Sequence, residues 1–333
     1  MQTRTPQRDV AQILVMLTTL AIPAFFTLRT VLMKPTDAHP GDNPTPFGYT
    51  VSLTLFLIPV LAITFVHIRW PVVQQHLRAL FWAAGTIALV GFVLDVVFGY
   101  TFLTFKNTGA TLGVRLPSWD WGTLSWVPGY LPVEEFAFYI LGAFFVLTLY
   151  LWLNDRWLSM YDPDGFAAAS KATRKLLSPS LLTFGVWVAL TALGVWYKLS
   201  RADGFPGYFL FIMILGFLPT FLFLRAIAAF VNWRAFAFSY GVLLLVSLVW
   251  EATLGVPYDW WNYKRERMLG IEVLAWSGLP IEAVMLWLVI AWDCVIALEI
   301  YKVFFHMDRS VKAALLGSGH SPGPGARRAA ETA

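Results

Sequence analysis

The sequence predicts an all-α, polytopic membrane protein in which eight transmembrane helices form two parallel repeats of four helices. Of its 333 residues, 58% are hydrophobic and only 13% are charged, whereas a soluble domain carries about 25% charged residues. Eight segments are apolar over roughly the 20 residues that are needed to cross a bilayer. A proline–glutamate element also occurs twice, each time at the start of one of these segments.

The eight predicted spans divide the chain into two halves. The first span could be mistaken for a signal peptide, but its apolar stretch is too long and Ile22-Pro23-Ala24 does not resemble a cleavage site, so we keep it as a helix. The predicted units are a first repeat at 1–155, a cytoplasmic linker at 156–178, a second repeat at 179–306 and a disordered tail at 307–333. The spans are placed at 10–32, 47–67, 80–103, 131–153, 180–199, 207–230, 234–255 and 279–305.

Loop charge predicts the orientation in the cell membrane. With a cytoplasmic N-terminus, the cytoplasmic segments hold the majority of the 24 Lys and Arg residues, so the positive-inside rule places both termini in the cytoplasm. The basic run at 264–267 lies on the opposite side and works against this assignment. The pI of about 9.1 reflects the excess of loop cations, and no segment resembles a nucleic-acid-binding patch.

The proline–glutamate element is the clearest sign of an internal repeat. Leu131–Phe136 reads Leu-Pro-Val-Glu-Glu-Phe, and Leu279–Val284, 148 residues later, reads Leu-Pro-Ile-Glu-Ala-Val. Each copy follows an aromatic loop, and before that loop an acidic residue ends a span: Asp95 in the first half and Glu251 in the second. Because each unit has four spans, both copies have the same orientation. Internal repeats of this kind often place a binding site at their interface.

Five acidic residues are the candidate catalytic groups. Asp95 and Glu251 lie where spans end on the outer side, and Glu134, Glu135 and Glu282 lie where spans begin there, so we expect all five to line one apolar cavity. Carboxylates in a first helical turn also stabilise the helix dipole, and this structural role is the alternative. A carboxylate so close to hydrocarbon is costly to keep charged, which favours a functional role.

The adjacent glutamates suggest acid–base chemistry. Two neighbouring carboxyl groups in an apolar site cannot readily both ionise, so we expect one to hold a proton beside a carboxylate. Aromatic faces next to them could shelter a cation, although an interfacial aromatic belt explains the same composition. The residues predicted to line the substrate site are Trp119, Trp121, Trp126, Phe136, Tyr258, Trp260, Trp261 and Tyr263.

Two further acids in the spans are predicted to be structural. Asp293 lies about three helical turns after Glu282, on nearly the same face, and we expect it to pair with Arg225. Glu299 lies nearer the end of its span, where its side chain should extend to the membrane interface.

The sequence carries no recognisable cofactor or metal motif. A dinucleotide-binding glycine pattern and a phosphate-binding loop are both missing. Cys294 is the single cysteine, and the five histidines are scattered rather than clustered. We therefore expect neither a metal nor an organic cofactor.

A known family shares this pattern. The tandem four-helix repeat, with Leu131–Tyr139 opening a helix after an acid and a Trp/Tyr-rich loop, resembles the lycopene cyclases of the heterodimeric or fused type, which act in carotenoid biosynthesis. The resemblance implies a redox-neutral ring closure. In that reaction a carboxylic acid protonates the terminal double bond of a linear polyene, the next double bond attacks the cation, and loss of a proton completes the ring.

The resemblance also implies roles for the candidate residues. Glu134 and Glu135 would be the acid and its partner, and Glu282 would be their counterpart in the second repeat. Asp95 and Glu251 would orient them or take the final proton. The second copy departs from the family pattern, because Ala283 stands where a second glutamate would complete the pair. This departure argues against a second, equivalent active centre.

Other functions remain open at this point. A carotenoid hydratase, or a cyclase of another terpenoid, would use the same protonation step. A membrane transporter and a non-catalytic membrane subunit are the alternatives from other classes. The expected partners are a hydrophobic isoprenoid or carotenoid substrate, the lipid bilayer and, by contact, other enzymes of the carotenoid pathway.

Overall fold

The computed structural model describes residues 41–67, 71–161, 165–201 and 204–317. Within these ranges, seven helices are long and apolar enough to cross a membrane. This agrees with the prediction of a mostly helical, multi-pass membrane protein. The predicted first span at 10–32 lies outside the described residues. The seven spans are Gly48–Phe65, His76–Phe102, Val133–Trp157, Leu181–Arg201, Gly207–Ile227, Trp233–Gly255 and Ile281–Met307.

The helices differ strongly in how much of their surface the protein covers. In the span that contains α4, 67% of the residues are buried, whereas in the span of α6 only 6% are buried. The helices are α1 (Gly48–Ser52), α2 (Thr54–His67), α3 (Pro71–Phe102), α4 (Val133–Trp152), α5 (Phe166–Ala172), α6 (Leu181–Arg201), α7 (Gly207–Phe211), α8 (Leu218–Ile227), α9 (Trp233–Trp250), α10 (Ile281–Met307) and α11 (Val311–Leu316).

Three spans contain a π-helical turn, at Leu153–Trp157, Ile212–Gly216 and Glu251–Gly255. Such turns are rare and often occur at functional sites. The third turn continues α9 and carries Glu251. It ends at Gly255, against which the indole ring of Trp261 lies so closely that a Cβ atom has no room.

The loop end of the molecule is where α3 and α9 finish and where α4 and α10 begin. Here the chain forms three two-stranded antiparallel sheets, which the all-α prediction missed. β1 (Leu103–Thr104) pairs with β4 (Asn262–Tyr263), and so joins the first half of the chain to the second. The other two sheets are formed by β2 (Arg115–Asp120) with β3 (Ser125–Pro132) and by β5 (Glu272–Val273) with β6 (Leu279–Pro280).

The opposite, linker end holds the connection between the two halves. There α11 packs beside the segment after α5, because Leu176 N donates to Ala314 O at 2.9 Å and Leu177 N donates to Leu315 O at 3.1 Å. The start of the predicted disordered tail, 307–333, is therefore different from expectation: residues 311–316 form a helix that is tied to the linker. Residues after 317 lie outside the described ranges.

Candidate functional site

A long apolar cavity of about 810 Å³ lies between α3, α4, α10 and the segment from α7 to α8. Its wall on α3 extends from Arg78 to Phe102, which corresponds to about 36 Å along a helix axis. The cavity therefore follows most of the membrane-spanning length of α3. Its volume lies within the range of about 300–1,000 Å³ that is typical of ligand sites.

Three of the five predicted catalytic acids lie together in the wall of this cavity at the loop end: Asp95, Glu135 and Glu251. Asp95 comes from α3, Glu135 from the first turn of α4, and Glu251 from the π turn after α9. All three are buried, with relative exposures of 6%, 7% and 2%. The predicted convergence is thus observed for these three of the five acids.

Each of these carboxyl groups has a different set of hydrogen-bond donors. Glu135 Oε1 accepts a 2.5 Å hydrogen bond from the hydroxyl of Tyr49. Glu251 accepts from the Tyr263 hydroxyl at 2.8 Å and from the Trp287 indole N–H at 2.7 Å. Asp95 Oδ2 is buried and has no hydrogen-bond partner among the described residues. Glu135 and Glu251 thus have donors that would stabilise an ionised form, whereas Asp95 Oδ2 has none.

Tyr263 is a dependable donor to Glu251. Burial, followed by the charge of Glu251, raises the pKa of the Tyr263 hydroxyl well above its ordinary value. The hydroxyl therefore keeps its proton at neutral pH and donates a hydrogen bond to the carboxyl group of Glu251. Tyr263 lies in β4, which pairs with β1, so the loop-end sheet positions this donor.

Glu134 and Glu282 do not line the cavity, contrary to the prediction. Glu134 Oε1 accepts from Thr50 Oγ1 at 2.6 Å and from the backbone N–H of Leu112 at 2.7 Å. Glu282 Oε1 accepts in the same way from the backbone N–H of Leu269. Both glutamates are buried, and both tie an approaching loop to the first turn of a helix.

The two proline elements have nearly identical backbone geometry. Pro132 has φ −66° and ψ 145° before α4, and Pro280 has φ −67° and ψ 148° before α10. Each proline ends a strand and is the residue before the helix. Helix α4 therefore begins at Val133, and Glu135 is its third residue. That position directs Glu135 to the cavity, while Glu134 turns towards the loop. The equivalent of Glu135 in the second copy is Ala283, which is fully buried.

Most of the predicted aromatic lining lies elsewhere. Only Trp261 and Tyr263 line the cavity. Tyr258 and Trp260 are buried behind the wall, where Trp260 stacks on Tyr49 with ring centroids 6.2 Å apart. The other four, which are Trp119, Trp121, Trp126 and Phe136, pack outside the cavity.

The β-hairpin of β2 and β3 explains why Trp119, Trp121 and Trp126 lie outside the cavity. Trp119 pairs with Trp126 across its ladder, and the two rings meet edge to face at 5.2 Å. Trp121 donates its indole N–H to Val97 O at 3.0 Å on the side of α3. A hairpin thus directs these rings to one another and to the helix surface, whereas an irregular loop could have folded them over the acids.

The structure reveals cavity residues that the sequence reading did not select. Tyr49, Tyr139 and Trp250 line the cavity beside the acids, and so does Trp287. Tyr139 and Trp287 are 148 residues apart, the same offset as the two proline elements. The motif alignment therefore contained a signal for this aromatic pair, because both residues follow their glutamate at the same distance.

The two acids that were assigned structural roles also differ from expectation. Asp293 lines the cavity, and its Oδ1 is buried without a hydrogen-bond partner; no ion pair with Arg225 is found in the described part of the chain. Glu299 is fully buried rather than interfacial. It accepts from Lys302 Nζ at 2.9 Å and from the Tyr150 hydroxyl at 3.1 Å.

Over the described ranges, no group of three or more His, Cys, Asp or Glu side chains is arranged to hold a metal ion. Comparisons with protein family models, curated proteins and solved structures give no match. A function is therefore inferred from the cavity and its carboxyl groups.

Proposed function

We propose that this protein is a membrane enzyme that closes a ring at the end of a linear isoprenoid polyene of the lycopene type, by acid catalysis and without change of oxidation state. The observation that supports this most directly is the trio Asp95, Glu135 and Glu251 at one end of a long apolar cavity. Within the described residues, the recorded ion pairs involve other carboxylates, namely Glu272 and Glu299. An intramembrane acid without a basic partner is a functional site by default.

The cavity favours a long hydrocarbon as the substrate. A polar substrate would lose its hydration in such a site without regaining hydrogen bonds along the wall, at a cost of several kcal/mol for each group. A polyene loses no hydration energy there and gains dispersion contacts along the full length of the cavity. The reacting end would lie at the loop end, where the acids are, and the remainder of the chain would extend towards Arg78.

The hydrogen bonds assign the first step to Asp95. Its Oδ2 is buried and has no hydrogen-bond partner among the described residues. A proton carried there would be available to the terminal double bond of the substrate. A new C–H bond forms, the adjacent carbon becomes a cation, and the next double bond attacks it to form the ring C–C bond. Loss of a proton from the ring then creates the new double bond. The numbers of hydrogens and electrons are unchanged.

The other groups stabilise the cation. Glu135 and Glu251, held by Tyr49, Tyr263 and Trp287, supply fixed negative charge at the place where positive charge develops. The faces of Tyr139 and Trp250 add cation–π stabilisation of about 1–2 kcal/mol each in a desolvated site. The proposal needs no flavin, nicotinamide or metal.

The proposed architecture remains eight spans in two parallel repeats, in the cell membrane with both termini cytoplasmic. Three matches at one offset of 148 residues support the repeat: the capping prolines, Glu134 with Glu282, and Tyr139 with Trp287. The resemblance of Leu131–Tyr139 to lycopene cyclases supports the carotenoid assignment. The excess of Lys and Arg on one side supports the orientation.

One observation favours a transporter as the second candidate. The cavity follows α3 over most of its length, and buried carboxyl groups inside membranes also serve as proton relays in carriers. A carrier would move its substrate across a vesicle membrane without converting it.

The deciding experiment is turnover by purified protein in liposomes that contain lycopene, with the products separated by chromatography. We expect a ring-containing isomer of unchanged mass without any added cofactor. Asp95→Asn should abolish it, while Asp308→Asn, the same change at an exposed helix end, should leave it unchanged. Substrate transfer between vesicles without conversion would favour the carrier. An alcohol of mass increased by one water would indicate a hydratase.

A further inference from the structure

Among the described acids in the cavity wall, Asp293 is the one to which the proposed reaction gives no role. It lies on α10, and its Oδ1 is buried with no donor or cation against it among the described residues. Leaving a buried polar atom of this kind without a partner is unfavourable, and more so when the group is charged. When such an atom lies in the wall of a cavity, we expect the ligand to supply its hydrogen-bond or charge partner.

A hydrogen bond at the linker side gives the depth of Asp293. Thr86 Oγ1 on α3 and the Tyr301 hydroxyl on α10 are 2.7 Å apart, so these two residues lie at one level. Counting from this level towards the loop end, Asp95 is nine residues along α3 and Asp293 is eight residues along α10. These counts correspond to about 14 Å and about 12 Å of helix. Asp95 and Asp293 therefore lie on two antiparallel helices that both line the cavity, each between two and three helical turns on the loop side of the Thr86–Tyr301 contact.

We infer that Asp293 faces the substrate from α10, the helix packed beside α3, and accepts the proton released when the ring is completed. This role rests on the proposed cyclisation. The C–H bond of the ring carbon breaks, its electron pair forms the new double bond, and the proton bonds to Asp293. The proton returns to Asp95 through water after the product leaves, so the cycle consumes nothing.

Glu251 is less suited to accept this proton. One of its oxygens already accepts from Tyr263 and the other from Trp287, and both bonds would weaken if Glu251 were protonated. Asp293 Oδ1 has no such bond to lose. Among the described residues, no donor to Asp293 Oδ1 compensates a charge on it when the substrate cation is missing. Its charge is best stabilised when positive charge is present in the cavity, which is the complementarity to the transition state that catalysis requires.

A binding experiment tests this inference without turnover. The probe is an isoprenoid tertiary amine, which is protonated at neutral pH and so imitates the cation, compared with the hydrocarbon in which carbon replaces its nitrogen. We expect Asp293→Asn to weaken binding of the amine at least tenfold and to leave binding of the hydrocarbon unchanged. Asp293→Glu should recover part of the affinity for the amine, and Asp308→Asn should have no effect. Equal amine affinity in wild type and Asp293→Asn would overturn the inference.

The product pattern gives the second readout. With the acceptor removed, the ring cation should lose its proton from a different carbon or be captured by water, so Asp293→Asn should change the position of the new double bond in the remaining product. Asp95→Asn should instead abolish the product, because ring closure does not begin without the proton donor. Unchanged products at wild-type rate in Asp293→Asn would contradict the assignment. Should wild type form no ring at all, the proposed function fails, and the amine comparison still decides whether Asp293 binds positive charge.

Discussion

The hydroxyl of Tyr49 donates a 2.5 Å hydrogen bond to Oε1 of Glu135, and both side chains are buried in the cavity wall. Hydrogen bonds to ionised acceptors are short and about twice as strong as neutral ones. The ring of Tyr49 also packs against Trp250 and Trp261, with centroids 5.9 Å and 5.0 Å away. Tyr49 therefore holds Glu135 in one position and links helix α4 to the second half of the chain.

Tyr49→Phe should lower turnover by about 100-fold, because it removes a positioned donor from a carboxylate that faces developing positive charge. The ring contacts remain, so the thermal unfolding midpoint in detergent should change little. Tyr240→Phe, which removes a hydroxyl outside the cavity wall, is the matched control. A Tyr49→Phe variant with normal turnover would show that Glu135 does not need this donor.

Glu134 and Glu135 should separate into a structural and a catalytic residue. Glu134→Ala leaves Thr50 Oγ1 and the Leu112 N–H without their acceptor, which should cost about 1–3 kcal/mol of stability. Glu134→Gln keeps a carbonyl acceptor and should be milder. Glu135→Gln should instead abolish turnover at nearly normal stability. The measurements are unfolding midpoint and product yield for each variant, and the reverse pattern would return the acid role to Glu134.

Trp287→Phe should lower turnover, because it weakens the stabilisation of the ionised carboxyl group of Glu251. It deletes the indole N–H that donates to Glu251 Oε1 at 2.7 Å and retains most of the buried aromatic surface. We expect turnover to fall about tenfold or more, as for loss of one hydrogen bond to a charged group. Trp233→Phe, at an exposed helix start, is the control. Unchanged turnover would mean that the Tyr263 hydroxyl alone maintains the charge on Glu251.

Tyr263 should make stability fall at high pH. Its folded-state pKa is raised well above the ordinary value of 10.0, so above about pH 10 the unfolded chain releases this proton while the folded chain retains it. The free energy of unfolding should therefore decrease with rising pH in that range, by up to about 1.4 kcal/mol per pH unit from this group. Tyr263→Phe should make the decrease shallower. An unchanged slope would show that Tyr263 is not protected from ionisation.

The sequence was most informative where the repeat constrains position. Asp95, Glu135 and Glu251 reach one cavity, because helix ends at a common depth are determined by span length and by the motif offset. The roles of Glu134 and Glu282 could not be read, because one residue of difference in where a helix starts decides whether a side chain faces the loop or the cavity.

The side chain that a residue contacts on another helix was harder to predict than the face of its own helix on which it lies. Periodicity predicts that Asp293 lies on nearly the same face of α10 as Glu282, but it cannot show that the cavity, rather than Arg225, lies in front of Asp293. The Trp residues of 119–126 were misplaced for a related reason. In short strands interrupted by glycine and proline, the alternation of apolar and polar residues is too brief to predict a hairpin. The pairing of Trp119 with Trp126 is therefore visible only in the structure.

The pairing of Leu103 with Tyr263 has a consequence for biosynthesis. Strand β1 leaves the ribosome about 160 residues before its partner, which at 5–20 residues per second is a delay of roughly 8–32 seconds. Tyr49 and Asp95 are made before β1 and Glu135 soon after it, whereas Glu251 is made just before Tyr263, and Trp287 after both. The first half must therefore be inserted with its acids uncovered, and the complete acid site can form only after the last long helix has been inserted.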